Sequence, residues 1–177
     1  MDKTNQQFDK VTVLCRNIFI KKMKDYGTAW RILRTNSITD QIYIKACRIR
    51  NIEETGVSKI DEDVRSEFIG VINYAIIGLI QLDLGLSEQE LSENAAIEMY
   101  DRYFNTAKTL MQAKNHDYGE AWRNMRISSY TDLILMKLKR IKQIEDNQGK
   151  TIISEGIDAN YLDIVNYSVF ALIKIEF

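Results

Sequence analysis

Residues 24–54 read KDYGTAWRILRTNSITDQIYIKACRIRNIEE, and residues 116–146 read HDYGEAWRNMRISSYTDLILMKLKRIKQIED. From Asp25 and Asp117 onward, 16 of 30 positions are identical without a gap, at a constant offset of 92. The identities are mostly polar: Asp, Tyr, Gly, Trp, Arg, Ser, Thr and Lys all recur. A packing requirement alone would retain apolar character and volume rather than these side chains. The stretch therefore reads as two copies of a site.

An apolar run follows each copy. FIGVINYAIIGLIQL at 68–82 and YLDIVNYSVFALIKI at 161–175 align at an offset of 93. Each is shorter than the roughly 20 residues that span a bilayer and holds an asparagine, so two buried central helices are expected. Ahead of the copies, Phe8, Val11, Leu14, Cys15 and Ile18 recur at helical spacing, mirrored by Met99, Tyr103, Ala107, Leu110 and Met111. Proline is absent and there are only 8 glycines, a composition that disfavours sheet edges and long loops. The expectation is an all-α protein: one domain over 1–177, a helical bundle of two intramolecular repeats, about 5–84 and about 93–177, related by a pseudo-two-fold axis.

At 177 residues the chain can bury a substantial core. Its 24 basic and 25 acidic residues nearly cancel, so no global field draws it to nucleic acid or to an anionic membrane. Direct nucleic-acid binding and membrane association are not expected. Cys15 and Cys47 have Ala107 and Lys139 as counterparts, and read as free thiols of a reducing compartment. The polar start MDKTNQQF lacks the apolar run of a signal peptide. A cytoplasmic location is the expectation.

Gly27 and Gly119 mark turns, and His116 reads as a turn residue. Ser37 with Asp40, Ser129 with Asp132, and Ser87 with Glu90 fit capping boxes, which makes the acids candidates for reaching back to a helix start. Residues 55–66, TGVSKIDEDVRS, form an acidic connector. Asn73 and Asn166 must find partners inside apolar helices, and the neighbouring hydroxyls of Tyr74 and Tyr167 are candidates.

The most informative residues are two lysines. Ile42, Ile49 and Ile52 form a stripe that Ile134, Ile141 and Ile144 repeat, and Lys45 and Lys137 fall on it, with Arg48 and Arg140 at its edge. A lysine facing a core is costly unless an anion meets it, although its stem can pack while the amine reaches solvent. The chemistry that fits is phosphate binding. Lys137 and Arg140 would hold phosphate oxygens, and Trp122 and Tyr118 could stack on a base, with core filling the alternative for Trp30 and Trp122.

Asp163 is the one aspartate deep in either apolar run; its counterpart is Gly70, while Asn160 stands opposite Glu67. An acidic E-x-x-D pattern is thus divided between the copies. Asp163, Glu145 and Glu67 are candidate ligands of a magnesium ion, with Asp146 also in reach, and Asp163, Glu155 and Asp158 are candidate catalytic acids. Magnesium keeps several waters, so two or three carboxylates beside a substrate phosphate would suffice.

The order K-x-x-D-Y-G, a helix with K-x-x-R, an acidic connector and D-x-x-N-Y resembles the bacterial and phage group called nucleotide-modification-associated domain one. In the second copy these are Lys114, Asp117, Tyr118, Gly119, Lys137, Arg140, Asp163, Asn166 and Tyr167; in the first they are Lys22, Asp25, Tyr26, Gly27, Lys45, Arg48, Asn73 and Tyr74. That group is similar to the all-α MazG and dimeric dUTPase type nucleoside triphosphate pyrophosphohydrolases, which implies a magnesium-dependent activity on a canonical or modified nucleotide, centred on the second copy. Their E-x-x-E plus E-x-x-D signature is incomplete here, because Asn160 and Gly70 each remove one acid and no E-x-x-E follows Lys137. Two other readings stay open: a non-catalytic nucleotide-binding accessory of a modification system, and a structural helical module in which Lys45 and Lys137 pair with internal carboxylates. A small-molecule nucleotide is the expected partner, and a homodimer is compatible with the chain.

Overall fold

In the computed structural model, residues 2–60 and 63–177 are described. Asp61 and Glu62 of the acidic connector lie outside them. Six α-helices and no strand occur among the described residues: α1 Asp2–Tyr26, α2 Thr35–Thr55, α3 Val64–Leu84, α4 Glu93–Tyr118, α5 Ile127–Asp146 and α6 Ile157–Glu176. Single 3-10 turns, Ala29–Ile32 and Ala121–Asn124, follow α1 and α4. The order helix, 3-10 turn, helix, helix is therefore executed twice, as the repeat predicts.

The two apolar runs lie side by side at the centre as α3 and α6, α2 and α5 pack against them and each other, and α1 and α4 close the remaining side. One core runs through both halves, from Phe8 and Val11 through Ile72 and Ile76 to Val169 and Leu172. Each such large apolar side chain contributes about 1.5–3 kcal/mol on full burial. α3 is long and apolar enough to cross a membrane by length and composition, yet 72% of that window is buried inside the molecule. Cys15 and Cys47 are free thiols, and burial pushes the Cys15 thiol up, keeping it protonated.

The halves are joined by contacts that come in reciprocal pairs. Arg50 meets Asp132 at 2.8 Å while Lys142 meets Asp40 at 3.2 Å. Thr39 donates to Glu145 at 2.8 Å while Thr131 donates to Glu53 at 2.5 Å. Arg16 meets Asp101 at 2.7 Å while Lys108 meets Asp9 at 2.6 Å. In each pair the two contacts exchange equivalent positions of the copies, which is the signature of a two-fold interface folded into one chain. Since partner numbers rise along one helix as they fall along the other, α2 and α5 run antiparallel, and so do α1 and α4.

These pairs correct the capping expectation. α2 and α5 begin at Thr35 and Ile127, ahead of Ser37 and Ser129, with no side-chain cap. Asp40 and Asp132 serve as cross-copy ion-pair acids instead. Likewise α4 starts at Glu93, capped by Ser92, whose side chain accepts from Ala95 N, and Ser87 accepts only from Gln89 N in the preceding loop. The one side-chain cap on a central helix is Asp63, accepting from Ser66 N at 2.8 Å at the head of α3.

The buried asparagines also find partners other than their neighbouring tyrosines. Asn73 Nδ2 donates to Cys15 O at 3.2 Å and Asn166 Nδ2 donates to Ala107 O at 3.0 Å, equivalent bonds that tie α3 to α1 and α6 to α4. Asn73 Oδ1 accepts from Tyr100 at 2.7 Å, but the counterpart of Tyr100 is Phe8, and Asn166 Oδ1 is buried without a partner among the described residues. Replacing Tyr100 by Phe should leave Asn73 in the state of Asn166. Urea unfolding should then show a loss of about 1–2 kcal/mol, and an unchanged midpoint would mean that the bond carries no stability.

Candidate functional site

Each copy brings three cations towards one acid. The first copy presents Lys22 from α1 and Lys45 and Arg48 from α2; the second presents Lys114 from α4 and Lys137 and Arg140 from α5. The acid comes from the central helix, but from different turns of it. Glu67 stands in the first turn of α3, while Asp163 stands one turn further along α6, opposite Gly70. That difference of one turn decides which cations are satisfied.

Glu67, 3% exposed, accepts from Arg48 at 2.6 Å and lies 3.5 Å from Lys45 Nζ. Asp163, 4% exposed, is held by Lys114 at 2.6 Å and Lys137 at 2.8 Å. The inward lysines are thus half-buried and paired with internal carboxylates, as a core-facing amine requires. Burial opposes the charge of Lys114, but the hydrogen bond and charge of Asp163 outweigh it and raise its pKa. One cation is left over in each copy. Arg140 is exposed, and Asn160, standing where Glu67 would be, offers it no charge; Lys22 is exposed at a cleft, and Gly70 offers it none. Neither makes an ion pair among the described residues.

A cavity of about 600 Å³ opens at that cleft, between the end of α1, the turn Ala29–Ile32, Lys45 of α2 and the first half of α3. Its walls are largely apolar, with Trp30, Tyr26 and Tyr74 as aromatic surfaces and Lys22, Lys45, Arg65 and Glu67 as charged groups. Tyr26 is mostly exposed at the mouth, and Lys45 Nζ lies 5.9 Å from the Tyr74 ring centroid. Asn73, whose amide is tied to α1, forms part of the floor. Arg65 is engaged by Glu176. Gly70 is what lets the stem of Lys45 lie flat on α3, its Cε only 2.9 Å from where a Cβ would stand.

The tryptophan of the second copy is packed differently. Trp122 is buried and stacked on Phe170, ring centroids 4.2 Å apart and planes at 9°, with the Arg123 guanidinium 4.4 Å above it. Trp122 thus fills the core at its turn, one of the two readings its sequence allows. In the first copy Ile77 replaces Phe170, so Trp30 has no ring to stack on and stays half-buried at the cavity wall. Both turns are anchored from the central helix: Gln81 donates to the carbonyls of Arg31 and Leu33 at 2.9 and 2.8 Å, and Lys174 donates to Arg123 O at 2.6 Å.

The sequence reading centres hydrolysis on the second copy; the cavity of about 600 Å³ lies in the first. Lys22, Tyr26, Trp30, Lys45 and Asn73 come together there, and Arg48 reaches its edge through Glu67. Lys114, Lys137, Asn166 and Tyr167 surround Asp163 and helix α6, with Tyr167 raised by burial and then by the Asp163 charge. Asp25, Asp117, Tyr118 and Arg140 stand at the surface, Asp117 beside His116 at 3.2 Å. Arg65 and Ile77 belong to the cavity and were not anticipated. The available signal was subtractive, since the first copy is smaller than the second at Gly70 and Ile77.

The acids do not assemble a magnesium site. Glu67 and Asp163 are each closed by two cations. Glu145 faces α2, where it accepts from Thr39, which also shares a 2.6 Å hydrogen bond with Tyr161. Burial raises its pKa. Glu155 and Asp158 are exposed near the start of α6, and no group of three His, Cys, Asp or Glu residues is placed to hold a metal among the described residues. These residues do not fit a shared divalent ion.

A family model described as nucleotide modification associated domain 1 matches residues 22–82 and again residues 114–175. Neither a curated protein nor a solved structure matches the chain. The two matches start at the leftover Lys22 and at Lys114 and run through both central helices, so they take in every charged group of the two acid sites.

Asp163→Asn should strand the half-buried Lys137 and the more exposed Lys114. A loss of about 3 kcal/mol in denaturant unfolding is expected, whereas an unchanged midpoint would place those amines in water. The pH dependence has a definite sign. Because Lys114 is raised above its usual 10.5, its contribution is complete at neutral pH and is lost as the pH climbs through the raised value. The alkaline limb of the wild-type stability profile should therefore flatten in the variant.

Proposed function

The chain belongs to the nucleotide modification associated domain 1 family, and from that premise we propose that its first copy holds a nucleotide without hydrolysing it, as the binding accessory of a nucleotide modification system. The observation that carries this reading is the asymmetry of the copies: one closed by its own carboxylate and a stacked tryptophan, the other open with the matching cation and tryptophan unspent. A cleft of this size, mostly apolar with a few convergent charges, is what a small ligand with an aromatic body needs. Trp30 offers a face for a base. Lys22, with Lys45 behind it, offers charge to a phosphate.

Retention without turnover follows from the state of the acids. A pyrophosphohydrolase needs carboxylates free to hold a metal against the phosphates and to direct water. In this chain Glu67 faces the cleft with two cations on it, and its would-be companion one turn on is Gly70. The family resemblance supplies the ligand class, and the paired acids argue for binding over catalysis.

The test is a panel of canonical and modified nucleotides against the full chain. A binder should raise the melting temperature with a concentration dependence that follows mass action, about 2.7 kcal/mol at one hundred times its Kd, equally with magnesium or EDTA. Trp30→Ala should weaken binding by about ten-fold or more, as loss of a stacking face implies, while Arg140→Ala leaves it unchanged. Release of pyrophosphate or phosphate would sink the non-catalytic part; a flat response to every nucleotide would sink the whole.

A further inference from the structure

The second copy shows what the first copy's lysines are built to hold. There, one carboxylate answers two amines: Lys114 Nζ at 2.6 Å and Lys137 Nζ at 2.8 Å from the oxygens of Asp163. Their counterparts, Lys22 and Lys45, are both retained and both line the first-copy cleft, but the residue between them is Gly70. Lys22 has no ion-pair partner among the described residues. Lys45 reaches Glu67 only at 3.5 Å, the far limit of a hydrogen bond, because Arg48 holds that carboxylate at 2.6 Å. The cleft thus presents two lysines and lacks the single anion that satisfies the same pair elsewhere in the molecule.

We infer that the ligand is a nucleoside monophosphate, whose phosphate takes between Lys22 and Lys45 the place that the Asp163 carboxylate takes between Lys114 and Lys137, with its base against Trp30. This rests on the nucleotide reading above and narrows it. A phosphate monoester carries about −1.5 to −2 charges at neutral pH, which one unpaired lysine and one weakly paired lysine can meet. A di- or triphosphate brings more charge and is ordinarily held by a cradle of backbone N–H groups, a lysine and magnesium together. Among the described residues the cleft shows no such complement. Arg65, its remaining cation, is taken by Glu176, and Glu67 repels additional phosphate oxygens. The seat is single.

The experiment is calorimetric titration of the full chain with the mono-, di- and triphosphate of the best-binding nucleoside, in EDTA, with wild type, Lys22→Ala and Gly70→Asp. The wild type should prefer the monophosphate by about ten-fold or more over the triphosphate, and Lys22→Ala, at an exposed position, should cost about ten-fold in monophosphate affinity. Gly70→Asp supplies the missing carboxylate from within. The atoms nearest the Cβ it adds are those of the flexible end of Lys45, which must move aside, so the variant should fold, match or exceed wild-type melting temperature, and lose the monophosphate. A triphosphate that binds more tightly than the monophosphate overturns the inference and leaves the nucleotide reading standing. Undiminished affinity in both variants overturns the seat, and absence of binding by any nucleotide overturns both readings together. If Gly70→Asp fails to fold, the Lys22→Ala titration and the phosphate series still decide the outcome.

Discussion

In each half of the molecule a nearly buried carboxylate on a central helix is clamped by two cations from the helices around it, and the character of each half follows from where that carboxylate sits. Charge that deep is costly when alone and tolerable when paired and hydrogen-bonded. The amines of α2 and α5 can point inward only because the acid is there. Shifting the acid by one turn, from the Glu67 level to the Asp163 level, changes its partners from lysine and arginine of one helix to lysines of two helices. It also changes the leftover cation. In the second copy the remainder is Arg140, which faces solvent and stays hydrated; in the first it is Lys22, which lines a cavity.

The clamp works because the frame around it is over-determined. Reciprocal contacts such as Arg50 with Asp132 and Lys142 with Asp40 lie on exposed surfaces and are individually worth little. Their value is in register, since a slip of α2 along α5 would break equivalent contacts at both ends at once. Deeper, the paired asparagine bonds to Cys15 O and Ala107 O fix the outer helices on the central ones. With the frame held by symmetric features, the sites can differ without moving the helices that carry them. Phe170 and Ile77 differ by a ring, yet both 3-10 turns remain docked because Lys174 and Gln81 reach the same backbone carbonyls.

Much of this was legible in the chain. The duplicated stretch gave the helix order, the buried central pair and the inward lysines, because each rests on local periodicity or on identity at a fixed offset. What the sequence hid was relational. Asp40 and Asp132 have the spacing of capping acids, and only the antiparallel packing of α2 on α5 turns them into cross-copy ion pairs. Asn73 and Asn166 read alike, but the hydroxyl that distinguishes them, on Tyr100, comes from the other copy at a position where the first copy has Phe8. Trp30 and Trp122 also read alike, and differ because of residues far away in sequence on α3 and α6. Asp163 marks the second copy in the sequence, but its pairing with amines from two helices is visible only in three dimensions.

A tandem chain has a freedom that a dimer of identical subunits lacks. In a symmetric dimer any residue changed in one site is changed in both, so a glycine in place of the Asp163-type acid, with no glutamate at the Glu67 position, would leave four lysines without their anion. Joined in one polypeptide, the second copy can carry Asp163 and the stacked Trp122 while the first carries Glu67, Gly70 and Ile77 around a cleft. The stability lost by leaving Lys22 unpaired is limited, because it lies on α1 at the cavity mouth where water can reach it. Lys45 keeps part of a partner in Glu67. The glycine therefore stands in the copy that can bear it, because there Glu67 still meets Lys45 and Arg48 while the remaining cation is at the surface.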